Sequence, residues 1–216
     1  CYAPAATYST PEKFNQPSTR AGIIEDLEKD AKAFADPGPV FLCFTCDPYQ
    51  PLDGIHKLTR QAIEVLHRHD IPVRILTKGG VAAARDFDLL TAKDEFGASL
   101  TCLDDSESLK WEPRAALPES RMLTLARAKN QGISTWASLE PVLNPDTTLE
   151  IIRLTHDYVD MYKVGKLNYH PLSKTIDWKR FADSAVNLLE GLGNRYYIKE
   201  DLKKYLESAT AGGATP

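Results

Sequence analysis

The sequence predicts an α/β fold built on a parallel sheet, and three observations predict it. Short apolar runs of strand length alternate with longer segments whose apolar residues recur at helical spacing. The connections between them are short, which a sheet with right-handed crossovers and helices packed against it allows. The chain is also long enough, at 216 residues with 43% hydrophobic side chains, to bury one sizeable core.

The elements follow in order. Residues 1–20 are rich in Pro, Ser, Thr and Ala and read as a loop. Ile23, Ile24, Leu27, Ala31 and Phe34 then recur at helical spacing, and Asp36-Pro37-Gly38-Pro39 stops the helix. Val40 to Thr45 reads as a strand buried on both faces, as strands of parallel sheets are. Leu58, Ala62, Val65 and Leu66 form a helix face, Val73 to Thr77 a strand, and Ala82 to Leu90 a short helix. Ala98 to Leu103 is the next strand, and Met122, Leu125 and Ala126 mark a helix ended by Gly132. Thr135 to Leu139 is a strand, after which Asn144 and Pro145 supply an N-cap and a first helical position. A strand over Val159 to Val164, a helix capped by Asp177, the short strand Tyr196 to Ile198 and a helix near Lys203 and Leu206 complete the pattern. The domain is expected over 1–207, with 208–216 a frayed tail.

Full barrels of this kind need about eight units. Here a loop and a helix come first, where such a fold begins with a strand, so the first strand is expected to be missing. The net charge of −4 argues against binding nucleic acid or anionic membrane by bulk charge. Four cysteines, Cys1, Cys43, Cys46 and Cys102, are too few and too irregular for a secreted disulfide framework, so a reducing, cytoplasmic setting is expected. No apolar run approaches the ~20 residues that span a bilayer.

Ligands of parallel α/β sheets bind at the carboxyl ends of the strands. Those ends carry Thr45-Cys46-Asp47-Pro48, Thr77-Lys78-Gly79-Gly80, Thr101-Cys102-Leu103-Asp104, Ser138-Leu139-Glu140-Pro141 and Lys163-Val164-Gly165-Lys166-Leu167-Asn168. Hydroxyls, thiols, carboxylates, ammonium groups and an amide thus collect on one rim, a composition suited to a polar small molecule. Cys43 and Cys46 have C-x2-C spacing, but on a buried strand alternate residues face opposite sides, so the two thiols are not expected to share a metal. The five histidines show no metal-ligand spacing.

Six words of the sequence, in order, carry a resemblance: Cys1-Tyr2-Ala3, Phe44-Thr45-Cys46-Asp47-Pro48-Tyr49-Gln50-Pro51, Ile75-Leu76-Thr77-Lys78, Trp111-Glu112-Pro113-Arg114, Ser138-Leu139-Glu140-Pro141-Val142 and Val164-Gly165-Lys166-Leu167-Asn168-Tyr169. From Cys1 to about Leu206 the chain resembles the radical SAM proteins related to spore photoproduct lyase, often labelled DNA repair photolyases. The resemblance implies a partial (β/α)6 TIM-like barrel that binds S-adenosylmethionine (SAM) against a [4Fe-4S] cluster. It also implies reductive cleavage of SAM to a 5′-deoxyadenosyl radical that abstracts hydrogen, with lyase chemistry on a DNA lesion as one outcome. A flavodoxin or ferredoxin reductant and a monomeric state go with it.

The family holds its cluster on a C-x3-C-x2-C loop after the first strand, and Cys1-Tyr2 looks like the end of that loop. Three thiolates leave one iron open for SAM. With only the third in place, the chain as written is not expected to build the cluster or to be active by itself; a SAM-binding fragment without catalysis is the alternative. By the same resemblance, Cys1 is a cluster ligand, and Tyr2 relays a hydrogen atom or packs its ring. Cys46 and Asp47 replace a Ser-Asp pair near SAM, where the Cys46 thiol hydrogen-bonds weakly or donates a hydrogen atom. Lys78 pairs with the SAM carboxylate or stays solvated. Ser138 and Glu140 hold ribose or substrate, Glu140 being alternatively a loop carboxylate. Lys166 and Asn168, with Lys163, bind phosphate or the adenine edge.

Overall fold

A computed structural model describes residues 7–35 and 38–207. Cys1, Tyr2 and the tail 208–216 lie outside the described residues. Two helices come first, α1 (Pro11–Phe14) and α2 (Ile23–Ala33), followed by β1 (Val40–Leu42), α3 (Pro51–His56), α4 (Leu58–Arg68) and β2 (Val73–Thr77). A 3-10 turn (Gly80–Asp86) leads to β3 (Glu95–Ser99), α5 (Asp105–Trp111), α6 (Pro118–Asn130) and β4 (Ser134–Val142). Then come α7 (Pro145–Thr155), β5 (Met161–Lys166), a 3-10 turn (Pro171–Lys174), α8 (Trp178–Leu192), β6 (Arg195–Ile198) and α9 (Glu200–Glu207).

The six strands form one parallel sheet in the order β1-β2-β3-β4-β5-β6, each neighbour following its predecessor in sequence. This is the α/β architecture expected, a partial TIM-like barrel. No helix among the described residues is long and apolar enough to cross a membrane.

Alternation along each strand separates a core face from an open face. Val73, Ile75, Phe96, Ala98, Ala137, Leu139, Tyr162 and Val164 are buried on the first, beneath helices that contribute Ile63, Leu66, Leu125, Ala128, Ile151, Phe181 and Leu189. Each buried Val, Leu, Ile or Phe among them, removed from water, contributes about 1.5–3 kcal/mol before chain entropy is counted. The open face carries Arg74, Glu95, Trp136, Ser138, Glu140 and Lys163. Across it Arg74 and Glu95, side by side in register, form a bidentate ion pair of 2.6 and 2.7 Å.

Local chemistry explains the helix ends. The Asn144 side chain accepts from the backbone N–H of Asp146 at 2.9 Å and of Thr147 at 3.2 Å, opening α7 as expected. Asp177 accepts from Arg180 N–H at 3.0 Å at the start of α8, and Asp104 accepts from Glu107 N–H at 3.0 Å to open α5, which the sequence reading left as a strand end.

Three expectations are corrected. The first strand stops at Leu42, because Cys43 turns into the left-handed region (φ 64°), and it is only part-buried. The third strand lies at Glu95–Ser99, three residues earlier than its apolar run. Leu100 still bonds β4 through Ser138 O at 3.0 Å, but Thr101 and Cys102 continue into the rim. The helix expected over Ala82 to Leu90 is the 3-10 turn Gly80–Asp86.

Candidate functional site

The carboxyl ends of β1 and β2 are joined by one carboxylate. Asp47 accepts from Thr77 Oγ1 at 2.6 Å, from Lys78 N–H at 2.6 Å and from Tyr49 N–H at 2.8 Å. The loop is fastened again where Thr59 Oγ1 donates to Pro48 O at 2.6 Å and Thr59 N–H to the buried Asp53 at 2.9 Å. Asp47 therefore spends three of its roughly four acceptor positions on the fold. Its part is to position the rim, with at most one acceptor left for a ligand.

Lys78 stands beside this hub with its side chain 37% exposed and its Nζ 3.5 Å from Glu112 Oε1. Glu112 is held in turn by Arg121, whose Nη1 lies 2.5 Å from Oε2. Arg121 is 1% exposed and also donates to Ala116 O at 2.6 Å, Ser99 O at 3.0 Å and Ser108 Oγ at 3.3 Å. A buried guanidinium thus ties α5, α6 and the end of β3 together and presents a carboxylate to the one half-exposed ammonium of this group. Sequence reasoning quoted Glu112 without a role and missed Arg121. The signal available was a charged residue on a helix turn that otherwise packs, too common a pattern to select it.

On the open face of β4, Trp136, Ser138 and Glu140 succeed one another. Trp136 lies flat across Gly97 of β3, where a Cβ would meet the indole at 2.3 Å, and the Lys163 Nζ sits 3.8 Å from its ring centroid. That cation–π contact is the partner a mid-strand lysine requires. Burial, and secondarily the nearby Arg74 charge, push the Lys163 ammonium below its ordinary value. Ser138 is buried and lies in register between Ser99 and Lys163. Glu140 packs over Gly165, where a Cβ would come within 2.8 Å of its carboxyl carbon, and is ion-paired with Lys199 at the end of β6. Lys199 was not anticipated, since it follows its strand by one residue and reads as an ordinary surface lysine.

The remaining candidates lie elsewhere. Lys166 alternates to the other side of β5 from Lys163 and Gly165. Its Nζ sits 5.6 Å from the Trp178 ring and 5.4 Å from the Tyr205 ring, beside a cavity of about 440 Å³ that Lys174 and Asp177 also line. Asn168 donates to Asp201 Oδ2 of α9 at 3.0 Å. Neither is brought beside Ser138 and Glu140. Cys46 is exposed next to Asp47, and Cys43 is exposed with it, so the expectation that the two thiols point to opposite faces of a buried strand is corrected: both lie in the loop after β1.

Three thiolates are needed to hold a [4Fe-4S] cluster with one open iron. Among the described residues no group of three or more Cys, His, Asp and Glu side chains is placed to hold a metal ion. Cys102 is buried, with its thiol 3.7 Å from Thr101 Oγ1 and pushed up by burial. The described residues do not fit the cluster. The rim carries polar groups of both signs: the half-exposed Lys78 ammonium, and the Glu140 carboxylate packed over Gly165.

The fold is similar to that of part of SuiB. Streptococcus suis SuiB bound to S-adenosylmethionine superposes with a TM-score of 0.64 at 11% identity, over 86% of this chain and 45% of SuiB. SuiB bound to its precursor peptide SuiA gives 0.67 at 12% identity, over 89% of this chain and 46% of SuiB. The chain thus spans less than half the length of SuiB. No family model matches the sequence, and no curated protein does.

Proposed function

We propose that this chain is a SAM-binding domain of the radical SAM type, with the cofactor seated on the carboxyl-end rim between Lys78 and Glu140. The observation that carries the reading is the coincidence of two independent facts. The fold is shared with SuiB, which binds S-adenosylmethionine, and the strand ends where parallel α/β folds bind ligands carry the polar groups that SAM requires. On this reading the Lys78 ammonium leaves Glu112 for the SAM carboxylate, while Ser138 and Glu140 face the ribose. Asp47 fixes the loop on which Cys46 stands. Cys1 and Tyr2 belong to the cluster side of the site.

In the whole protein a [4Fe-4S] cluster would supply the electron that cleaves a carbon–sulfur bond of SAM. Among the described residues the thiols do not assemble three ligands, and SAM binding is the part of the reading that rests on the rim. Substrate choice, DNA lesions included, belongs to the whole protein.

Isothermal titration of the intact chain with SAM, without added iron or sulfide, tests the reading. Wild type binds one SAM, and Lys78→Ala weakens binding by about tenfold or more, the loss expected for one charge-assisted hydrogen bond. Lys174→Ala, beside the cavity of Lys166, binds as wild type does. Equal affinity of wild type and Lys78→Ala would remove Lys78 from the site, and absence of SAM binding would remove the function.

A further inference from the structure

The loop after β1 presents two thiols on three residues of spacing, Cys43-Phe44-Thr45-Cys46, both exposed. The positive φ of Cys43 folds the chain back at the end of the strand, and each thiol is the first influence on the other's ionisation. Phe44, between them, stacks on Phe41 with ring centroids 4.7 Å apart, so the loop is anchored to the sheet. Downstream it is anchored by the three hydrogen bonds of Asp47. Two exposed thiols at C-x2-C spacing, on a loop anchored on both sides at the end of a strand, suit dithiol–disulfide exchange.

We propose that Cys43 and Cys46 form a redox-active dithiol, with Cys46 the attacking thiolate and Cys43 the resolving thiol, and that its reactant is a small-molecule disulfide. This proposal does not rest on SAM binding. The two thiols are not equivalent. The interaction with the Cys43 thiol lowers the Cys46 thiol to about 7, against the opposing effects of burial, Asp47 and Asp53. Cys43 is raised correspondingly, first by that shared hydrogen bond and then by burial and the same carboxylates. At pH 7 about half of the Cys46 sulfur is therefore thiolate, while Cys43 holds its proton.

In the first step the Cys46 thiolate attacks one sulfur of a disulfide RSSR. A Cys46–SR bond forms, the S–S bond of the reagent breaks, and RS⁻ leaves. In the second step Cys43 gives its proton to solvent or to the departing RS⁻ and attacks the Cys46 sulfur. The Cys43–Cys46 bond forms and a second RS⁻ leaves. In sum, two protein thiols are oxidised by two electrons to one disulfide, and one RSSR is reduced to two RSH.

The test uses the intact reduced chain and oxidised glutathione at pH 7, quenched with N-ethylmaleimide and digested with trypsin. Residues 33–57 form one tryptic peptide that holds both thiols and neither Cys1 nor Cys102. In wild type this peptide is expected two hydrogens lighter, with neither glutathione nor maleimide attached. Cys43→Ser is expected to stop at the glutathione adduct on Cys46. Cys46→Ser is expected to form its adduct several-fold more slowly than Cys43→Ser, since burial and the Asp47 and Asp53 carboxylates still raise the Cys43 thiol without its partner. A wild-type peptide that keeps glutathione, or equal rates in the two single variants, would overturn the proposal.

Discussion

Arg121→Ala is expected to lower the unfolding free energy by about 3–5 kcal/mol, the range for removing one partner of a buried ion pair. The side chain is 1% exposed and has four hydrogen-bonding partners, Ala116 O, Ser99 O, Ser108 Oγ and Glu112. Its loss leaves the buried Ser99 carbonyl, the half-buried Ala116 carbonyl and the Ser108 hydroxyl without their donor, and leaves Glu112 with only the Lys78 ammonium 3.5 Å away. For a domain of this size the midpoint of thermal unfolding should fall by on the order of 10 °C. Arg121→Met keeps the stem volume and should recover only a minor part of the loss. Thermal and urea melts followed by far-ultraviolet circular dichroism measure it, and a loss below about 1 kcal/mol would mean that the guanidinium does not tie α5 and α6 to the sheet.

Asp94→Asn is expected to cost about 3 kcal/mol at pH 7, because an amide places an N–H where a carboxylate accepts several charge-assisted bonds. Asp94 has no exposed surface and accepts from Val73 N–H at 2.7 Å, Thr91 N–H at 2.7 Å, Thr91 Oγ1 at 2.8 Å and His67 Nε2 at 3.0 Å. It thereby fixes the start of β2 to the loop before β3. Burial pushes its carboxyl up, but the bonds from Val73, Thr91 and His67 together outweigh burial and hold it below its ordinary value. A carboxyl depressed in the folded state contributes stability above its unfolded pKa of about 3.9, and loses that contribution as pH falls through the lower folded value. The gap between wild type and Asp94→Asn should therefore be constant from about pH 5 to pH 7 and narrow below about pH 4. A gap that widens in acid would contradict the assignment.

The parallel sheet was legible because burial on a core face leaves an apolar trace. Val73 to Thr77 coincides with β2, and Thr135 to Leu139 lies inside the longer β4. The caps Asn144 and Asp177 were legible because each acts within four residues of chain. Strand ends were harder to read. Thr101 and Cys102 are as buried as a strand but belong to the rim, and the positive φ at Cys43 carries no signature in a residue that is not glycine. The hidden half of the site consists of long-range partners. Arg121 for Glu112 and Lys199 for Glu140 are brought together by topology across 9 and 59 residues. Side-chain direction separated Lys166 from Lys163, although three residues on one strand are easily read as one group.

Hydrogen–deuterium exchange of the intact chain with and without SAM tests most directly where the cofactor sits. Seating on the rim predicts slowed exchange in the segments around Asp47, Lys78, Glu112 and Glu140, with the turn at Pro171–Lys174 and the start of α8 unchanged. Protection confined to that turn and α8, beside Lys166 and Trp178, would contradict a SAM site at the carboxyl ends of the strands.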